Sequence, residues 1–168
     1  MSKINITEYK SPVGEILIGS LDEKLCLCDW YDRKARARVD SRLCKGLNAE
    51  YTRSGSAFNK QVISQLDAYF AKELTQFSIR LKFVGTDFQK KVWQALQNIP
   101  FGKTQSYGQL AESLNMPSAV RAVANANGAN AISIIVPCHR IIGSNGTLTG
   151  YAGGLGAKKR LLEIEGLI

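Results

Sequence analysis

Apolar and polar positions alternate in short runs through the first half of the chain, and apolar positions recur at helical spacing through much of the second. Ile4 to Tyr9 and Glu15 to Ile18 read as strands joined by the turn signal Ser11-Pro12-Val13-Gly14, and Leu25 to Trp30 adds a third strand. From Phe58 to Phe70, the positions Val62, Ile63, Leu66, Ala68, Tyr69 and Phe70 fit one face of a helix, while Phe77 to Phe83 alternates like another strand. Around Gly85 the pattern changes. Thr86-Asp87-Phe88-Gln89 has the form of a capping box, opening a helix through Val92, Trp93 and Leu96 that Pro100 must stop. Ser106 caps a second short helix, Tyr107 to Leu114, and Pro117 begins a third that runs to Asn127-Gly128. Two short helices about three residues apart outline a helix-turn-helix. A β-branched strand-like run follows, Ile132 to Val136, then Pro137-Cys138-His139-Arg140 and a hairpin around Asn145-Gly146. A glycine-rich loop, Gly150 to Gly156, leads into a last helix ending near Gly166. The predicted class is α+β: a small N-terminal α/β domain over residues 1–84, then a mainly helical domain containing the helix-turn-helix over 85–168.

A length of 168 residues suits one domain or two small ones, and 45% hydrophobic content is enough to build a core, which excludes a disordered tail or a fibre. The longest apolar run, Ile134 to Pro137, is far below the ~20 residues of a bilayer span, and Met1-Ser2-Lys3-Ile4-Asn5 has no apolar signal core. The expectation is a cytoplasmic protein with no membrane partner.

Charge changes the picture more. The 22 basic and 14 acidic residues leave a net +8, an excess that attracts polyanions. No carboxylate lies between Glu112 and Glu163, while Arg121, Arg140, Lys158, Lys159 and Arg160 fall inside that interval. An anion-facing surface belongs there. Cys26, Cys28, Cys44 and Cys138 are too few and too unevenly spaced for a disulfide framework. With His139 the single histidine, a zinc site needing two imidazoles is excluded, and no metal is expected. Cys26 and Cys28, two apart on a strand, face the same side and read as packed residues.

Cys138 is followed at once by the only histidine and an arginine, groups that lower a thiol pKa by stabilising the thiolate. Cysteine is also among the most buried residue types, so the position alone fits a core residue as well as a nucleophile. Pro137 breaks regular pairing, so a reactive thiol at the end of a strand would face a cleft. The Gly150 to Gly156 loop lacks the spacing of a phosphate-binding P-loop, which argues against nucleotide hydrolysis.

The stretch Ile135-Val136-Pro137-Cys138-His139-Arg140-Ile141-Ile142-Gly143 resembles the active-site segment of the O6-alkylguanine-DNA alkyltransferases, also called methylated-DNA–protein-cysteine methyltransferases. The resemblance runs from about Phe88 to Gly166, through Ser106-Tyr107-Gly108-Gln109-Leu110-Ala111, Arg121-Ala122-Val123, Asn130 and Gly150-Tyr151-Ala152-Gly153-Gly154. It implies single-turnover repair of DNA, in which a methyl or small alkyl group moves from O6-alkylguanine, and less readily O4-alkylthymine, to Cys138 without a cofactor. It further implies a relay of Cys138, a water, His139 and Glu165, with Tyr107 donating to the leaving purine. Tyr151, Ala152 and Ile141 would line the substrate site, and Asn130 would tie a helix end to the active-site turn. The expected partner is double-stranded DNA, met by a monomer through the minor groove with little dependence on sequence. Arg121 would fill the place of the rotated nucleotide, and the small residues Ala122 and Ala126 would let the helix into a groove only ~6 Å wide.

Three departures from the family pattern are visible. Ala131 and Ser133 stand where many members have prolines, an exchange expected to loosen the segment, and Ala152 replaces a serine found in some. The zinc site of animal members has no counterpart, since no histidine lies near Cys26, Cys28 or Cys44. Two rivals follow from the same residues: a module that recognises alkylated bases without transfer, and a cysteine hydrolase using Cys138 and His139.

Overall fold

A computed structural model describes residues 1–168, and the chain divides into two compact units, Met1–Gly85 and Thr86–Ile168. It is an α+β protein with a sheet-based first unit and a mainly helical second one. No helix is long and apolar enough to cross a membrane.

In the first unit, β1 (Ser2–Ser11), β2 (Gly14–Leu21) and β3 (Lys24–Trp30) form an antiparallel meander, and β4 (Ala49–Thr52) pairs parallel to β1, giving the order β3-β2-β1-β4. The β2–β3 turn places both Asp22 and Glu23 at positive φ, the twist that suits a two-residue hairpin. Between β3 and β4 runs α1 (Arg36–Leu47), and α2 (Ala57–Phe70) packs on β1 and β2. Sequence periodicity misses α1 and β4. The helix is rich in arginine, and only Val39 and Leu43, four apart, are fully buried on it. The expected strand over Phe77 to Phe83 does not form. That segment touches β3 at one bridge, Leu81 to Leu25, fixed by Leu25 N–H to Arg80 O and Lys82 N–H to Leu25 O.

The second unit opens with α3 (Asp87–Leu96), for which Thr86 and Gln89 form a reciprocal capping box. Ser106 and Gln109 do the same for α4 (Tyr107–Ser113). The third helix, α5 (Val120–Gly128), starts three residues after Pro117, so the turn between α4 and α5 is longer than the sequence suggests. Trp93 Nε1 donates to Ala126 O at 2.8 Å, locking α3 to α5. A two-residue parallel ladder joins β5 (Gln105–Ser106) to β6 (Ile141–Ile142), and α6 (Leu155–Ile164) closes the chain. The expected hairpin around Asn145-Gly146 is a turn only, closed by Gly143 N–H to Thr147 O; β6 pairs with β5 instead.

Candidate active site

The run Ile132 to Val136 is not a strand. It folds into consecutive tight turns, because Asn130 offers its backbone groups partners that a neighbouring strand would otherwise supply. Asn130 Nδ2 donates to Ile132 O (3.2 Å) and Val136 O (3.0 Å), while Asn130 Oδ1 accepts from Ile132 N (2.9 Å). Inside this clasp Ser133 O accepts from Ile135 N at 2.8 Å, with Ile134 between them at φ +72°. A β-branched residue there is strained, at an expected cost of about 1–3 kcal/mol. Pro137, at φ −81° and ψ 62°, forms the unstrained mirror-type γ-turn, with Cys138 N donating to Val136 O. The segment is buried almost throughout, Ala131 and Ser133 included.

These turns deliver Cys138, His139 and Arg140 as a single 3₁₀ turn. Cys138 is only 4% exposed, so the sulfur is not at the open strand end expected of it. Asn130 Nδ2 also approaches Cys138 Sγ at 3.2 Å, a donor that favours the thiolate. A cation is also close. Burial pushes the Lys158 ammonium down, and the Cys138 sulfur acts in the opposite sense, the mark of mutual attraction between ammonium and thiolate.

His139 is fully buried, and its Nε2 lies 2.6 Å from Glu165 Oε2. Its Nδ1 has no hydrogen-bond partner within the protein. Glu165 is held from three sides. Arg140 Nε donates to Oε1 (2.8 Å) and Arg140 Nη2 to Oε2 (3.2 Å), and Gly102 N donates to Oε1 (3.2 Å). Arg140 is itself fixed by Nη1 to Ile99 O at 2.6 Å, with Phe101 facing its guanidinium. Glu165 caps α6, and the next turn ends in a Schellman motif: Gly166 N–H to Glu163 O, Leu167 N–H to Leu162 O, Gly166 at φ +74°. Burial alone would raise the Glu165 carboxyl, but His139 and then Arg140 outweigh it and bring it down to about 2. Burial pushes the His139 imidazole below its usual 6.5.

Both shifts make the fold acid-sensitive. The neutral, buried ring contributes stability in full above pH 6.5, and this is lost as protonation of the unfolded chain gains below it. The ionised Glu165 contributes above its ordinary 4.5, and that part is lost as the pH falls towards 2. The expected result is a urea midpoint that falls in two stages between pH 8 and pH 3, the lower stage disappearing in Glu165→Gln. A flat profile would contradict the assigned protonation states.

The remaining expected residues divide into two groups. Tyr107 begins α4 beside the β5–β6 ladder, and its hydroxyl lies 2.9 Å from Thr149 Oγ1. Tyr151 and Ala152 are half-buried in the loop before α6. On α5, Arg121, Ala122, Asn125 and Gly128 are exposed and share one face. Ala126, one turn beyond Ala122, is 3% exposed with its carbonyl accepting from Trp93 Nε1, and Ile141 is fully buried with its carbonyl bonded to Lys158 Nζ. Neither of these two presents its side chain to solvent in the free protein. The periodicity that buries Val123 also buries Ala126, and the ladder buries Ile141.

Two family models match the chain: one described as 6-O-methylguanine DNA methyltransferase, DNA binding domain, over residues 87–167, and one described as its ribonuclease-like domain over residues 4–83. A methylated-DNA–protein-cysteine methyltransferase of Methanosarcina acetivorans is 45% identical over 158 residues, covering 94% of this chain and 96% of that protein. The chain belongs to the methylated-DNA–protein-cysteine methyltransferase family. A Mycolicibacterium paratuberculosis member is 57% identical over 161 residues, covering 94% of this chain and 92% of that one. The crystal structure of Mycobacterium tuberculosis OGT in complex with DNA has a TM-score of 0.83 at 41% identity, covering 97% of this chain and 92% of that chain. Within this methyltransferase chain, sequence reasoning gave no specific partner to Lys158 or Thr149, and it set Arg140 beside Cys138 rather than against Glu165. Arg140 and Lys158 carried a faint signal, as cations inside an acid-free interval; Thr149 carried none.

Proposed function

We propose that Cys138 is the sulfur on which this DNA-repair methyltransferase receives a methyl or small alkyl group from O6-alkylguanine, and less readily from O4-alkylthymine. The reading rests on one observation above all: the hydrogen-bonded series Asn130–Cys138 and His139–Glu165–Arg140, built from adjacent residues of one turn and the cap of α6. Glu165 accepts from Nε2–H of His139, which leaves Nδ1 as the lone pair that takes the thiol proton through a water. The thiolate then attacks the saturated alkyl carbon. An S–C bond forms as the C–O bond breaks, and the electron pair of that bond leaves on guanine, where the Tyr107 hydroxyl donates a hydrogen bond to the ring nitrogen. The resulting thioether has no group positioned to hydrolyse it, so each molecule acts once. Both electrons of the new bond come from sulfur, and no cofactor takes part.

A base within a duplex hides its O6, and Cys138 is nearly buried, so the nucleotide is rotated out to reach it. The outward face of α5 suits this: Arg121 is its one long cation, set among Ala122, Asn125 and Gly128, small enough for a minor groove. Most contacts go to phosphates, so a monomer binds with little sequence preference and with affinity that falls as salt rises.

Intact-mass measurement after incubation with a methylated duplex tests the proposal. One methyl group is expected per molecule, located on Cys138, and Cys138→Ala is expected to bind the duplex with no mass gain. Binding by the native chain without mass gain would make it a recognition module, and multiple turnover of an ester would make it a hydrolase.

A further inference from the structure

We infer that Thr149 is a positioning residue for the alkyl-transfer reaction, its hydroxyl orienting the Tyr107 hydroxyl and its carbonyl anchored by the buried ammonium of Lys158. The inference rests on the role proposed above for Tyr107 and adds a residue that the sequence did not single out.

The geometry is built in three steps. First, the parallel pairing of Ser106 with Ile142 puts Tyr107, one residue further on, beside the start of the loop that follows β6. Second, that loop turns back through Gly143 N–H to Thr147 O, which returns Thr149 towards α4. Third, Lys158 Nζ donates to Ile141 O at 2.6 Å and to Thr149 O at 3.1 Å, so one ammonium ties both ends of the loop. Lys158 is fully buried and pairs with no carboxylate; its charge faces the Cys138 sulfur and the two backbone carbonyls to which it donates. A buried lysine spent on closing a loop fixes the position of that loop's last residue.

Tyr107 Oη and Thr149 Oγ1 are 2.9 Å apart, and either can donate. That freedom is useful. With the site empty, Tyr107 O–H donates to Thr149 Oγ1. When a purine enters, Tyr107 turns its hydrogen to the ring nitrogen, and Thr149 O–H donates to the Tyr107 oxygen in its place. The second bond polarises the first, so the tyrosine is a stronger donor as charge develops on the leaving base. No proton changes owner in the Thr149–Tyr107 pair.

Single-turnover transfer by the full chain on an O6-methylguanine duplex separates this from packing. Thr149→Val is close in shape but lacks the hydroxyl, and it is expected to slow the maximal transfer rate by about fivefold, the net worth of one hydrogen bond, with half-saturating DNA unchanged. Thr149→Ser keeps the hydroxyl and is expected within about twofold of the native rate. In a Tyr107→Phe background, Thr149→Val is expected to add nothing. Thr149→Ser as slow as Thr149→Val, or an undiminished effect of Thr149→Val in Tyr107→Phe, would overturn the inference while leaving the role of Tyr107 intact. Native-rate transfer by Tyr107→Phe alone would remove the role of Tyr107 and the inference with it. Urea midpoints of all variants identify any loss that comes from misfolding.

Discussion

Glu165→Gln is expected to cut single-turnover methyl transfer by a factor on the order of 10²–10⁴, the range by which a positioned general base contributes. The carboxylate does two things that an amide cannot do together. Its Oε2 accepts from His139 while both oxygens accept from Arg140. An amide has one acceptor oxygen and presents an N–H₂ group to whichever partner it turns away from, so it either repels Arg140 or leaves the histidine free to adopt the other tautomer. In that tautomer Nδ1 carries the hydrogen and cannot take the proton of Cys138. The same change removes the only carboxylate paired with Arg140, whose side chain is 8% exposed. Breaking a buried ion pair on one side costs about 3–5 kcal/mol, so the urea midpoint is expected to fall with the rate. Rapid-quench transfer assays and urea unfolding read both. A variant that transfers at the native rate while being destabilised would separate Glu165 from the chemistry and leave it a structural group.

Asn130→Ala is expected to have the next largest effect, through a different route. Its side chain makes four hydrogen bonds, three to the backbone of the following segment and one to Cys138 Sγ. Removing it leaves buried backbone groups without partners, at about 1–3 kcal/mol for each that stays dry, and frees the turn strain held at Ile134. The sulfur loses a donor that favours its charged form, so less thiolate is present at neutral pH. The transfer rate is expected to drop, and its rise with pH to move to higher values. Asn130→Asp sharpens the test. It keeps an acceptor for Ile132 N–H but gives up both donors and adds negative charge beside the sulfur, so it is expected to be slower than Asn130→Ala. The reverse order would mean that Asn130 acts on the backbone alone and not on the ionisation of Cys138.

Much of the fold was legible because local chemistry and tertiary structure agree. The capping box at Thr86 and the cap at Ser106 need only nearby residues, and both form as read, Ser106 gaining Gln109 as a reciprocal partner. Where the reading failed, longer-range partners decided. The Ile132 to Val136 run has the β-branched composition of a strand, but the partner for its backbone is the side chain of Asn130, and no pattern of hydrophobicity reports that. Phe77 to Phe83 alternates correctly yet meets β3 at a single residue. At the site, Cys138 and His139 were legible as neighbours in the chain. The arm that holds Glu165 was not, since Arg140 lies 25 positions away in sequence and nothing local marks the pair. Ala126 and Ile141 were carried over by resemblance, and helical and ladder periodicities turn both side chains inward.

Ile134 sits in a backbone conformation that glycine accepts most easily, while its side chain is 1% exposed. The two demands pull in opposite directions. Glycine would relax the backbone but leave a hole in the core, and any bulkier residue would keep the strain and add crowding. Mutational drift at this position therefore has almost nowhere to go, and the loop that aims the nucleophile should tolerate exchange far less readily than an ordinary connection of its length.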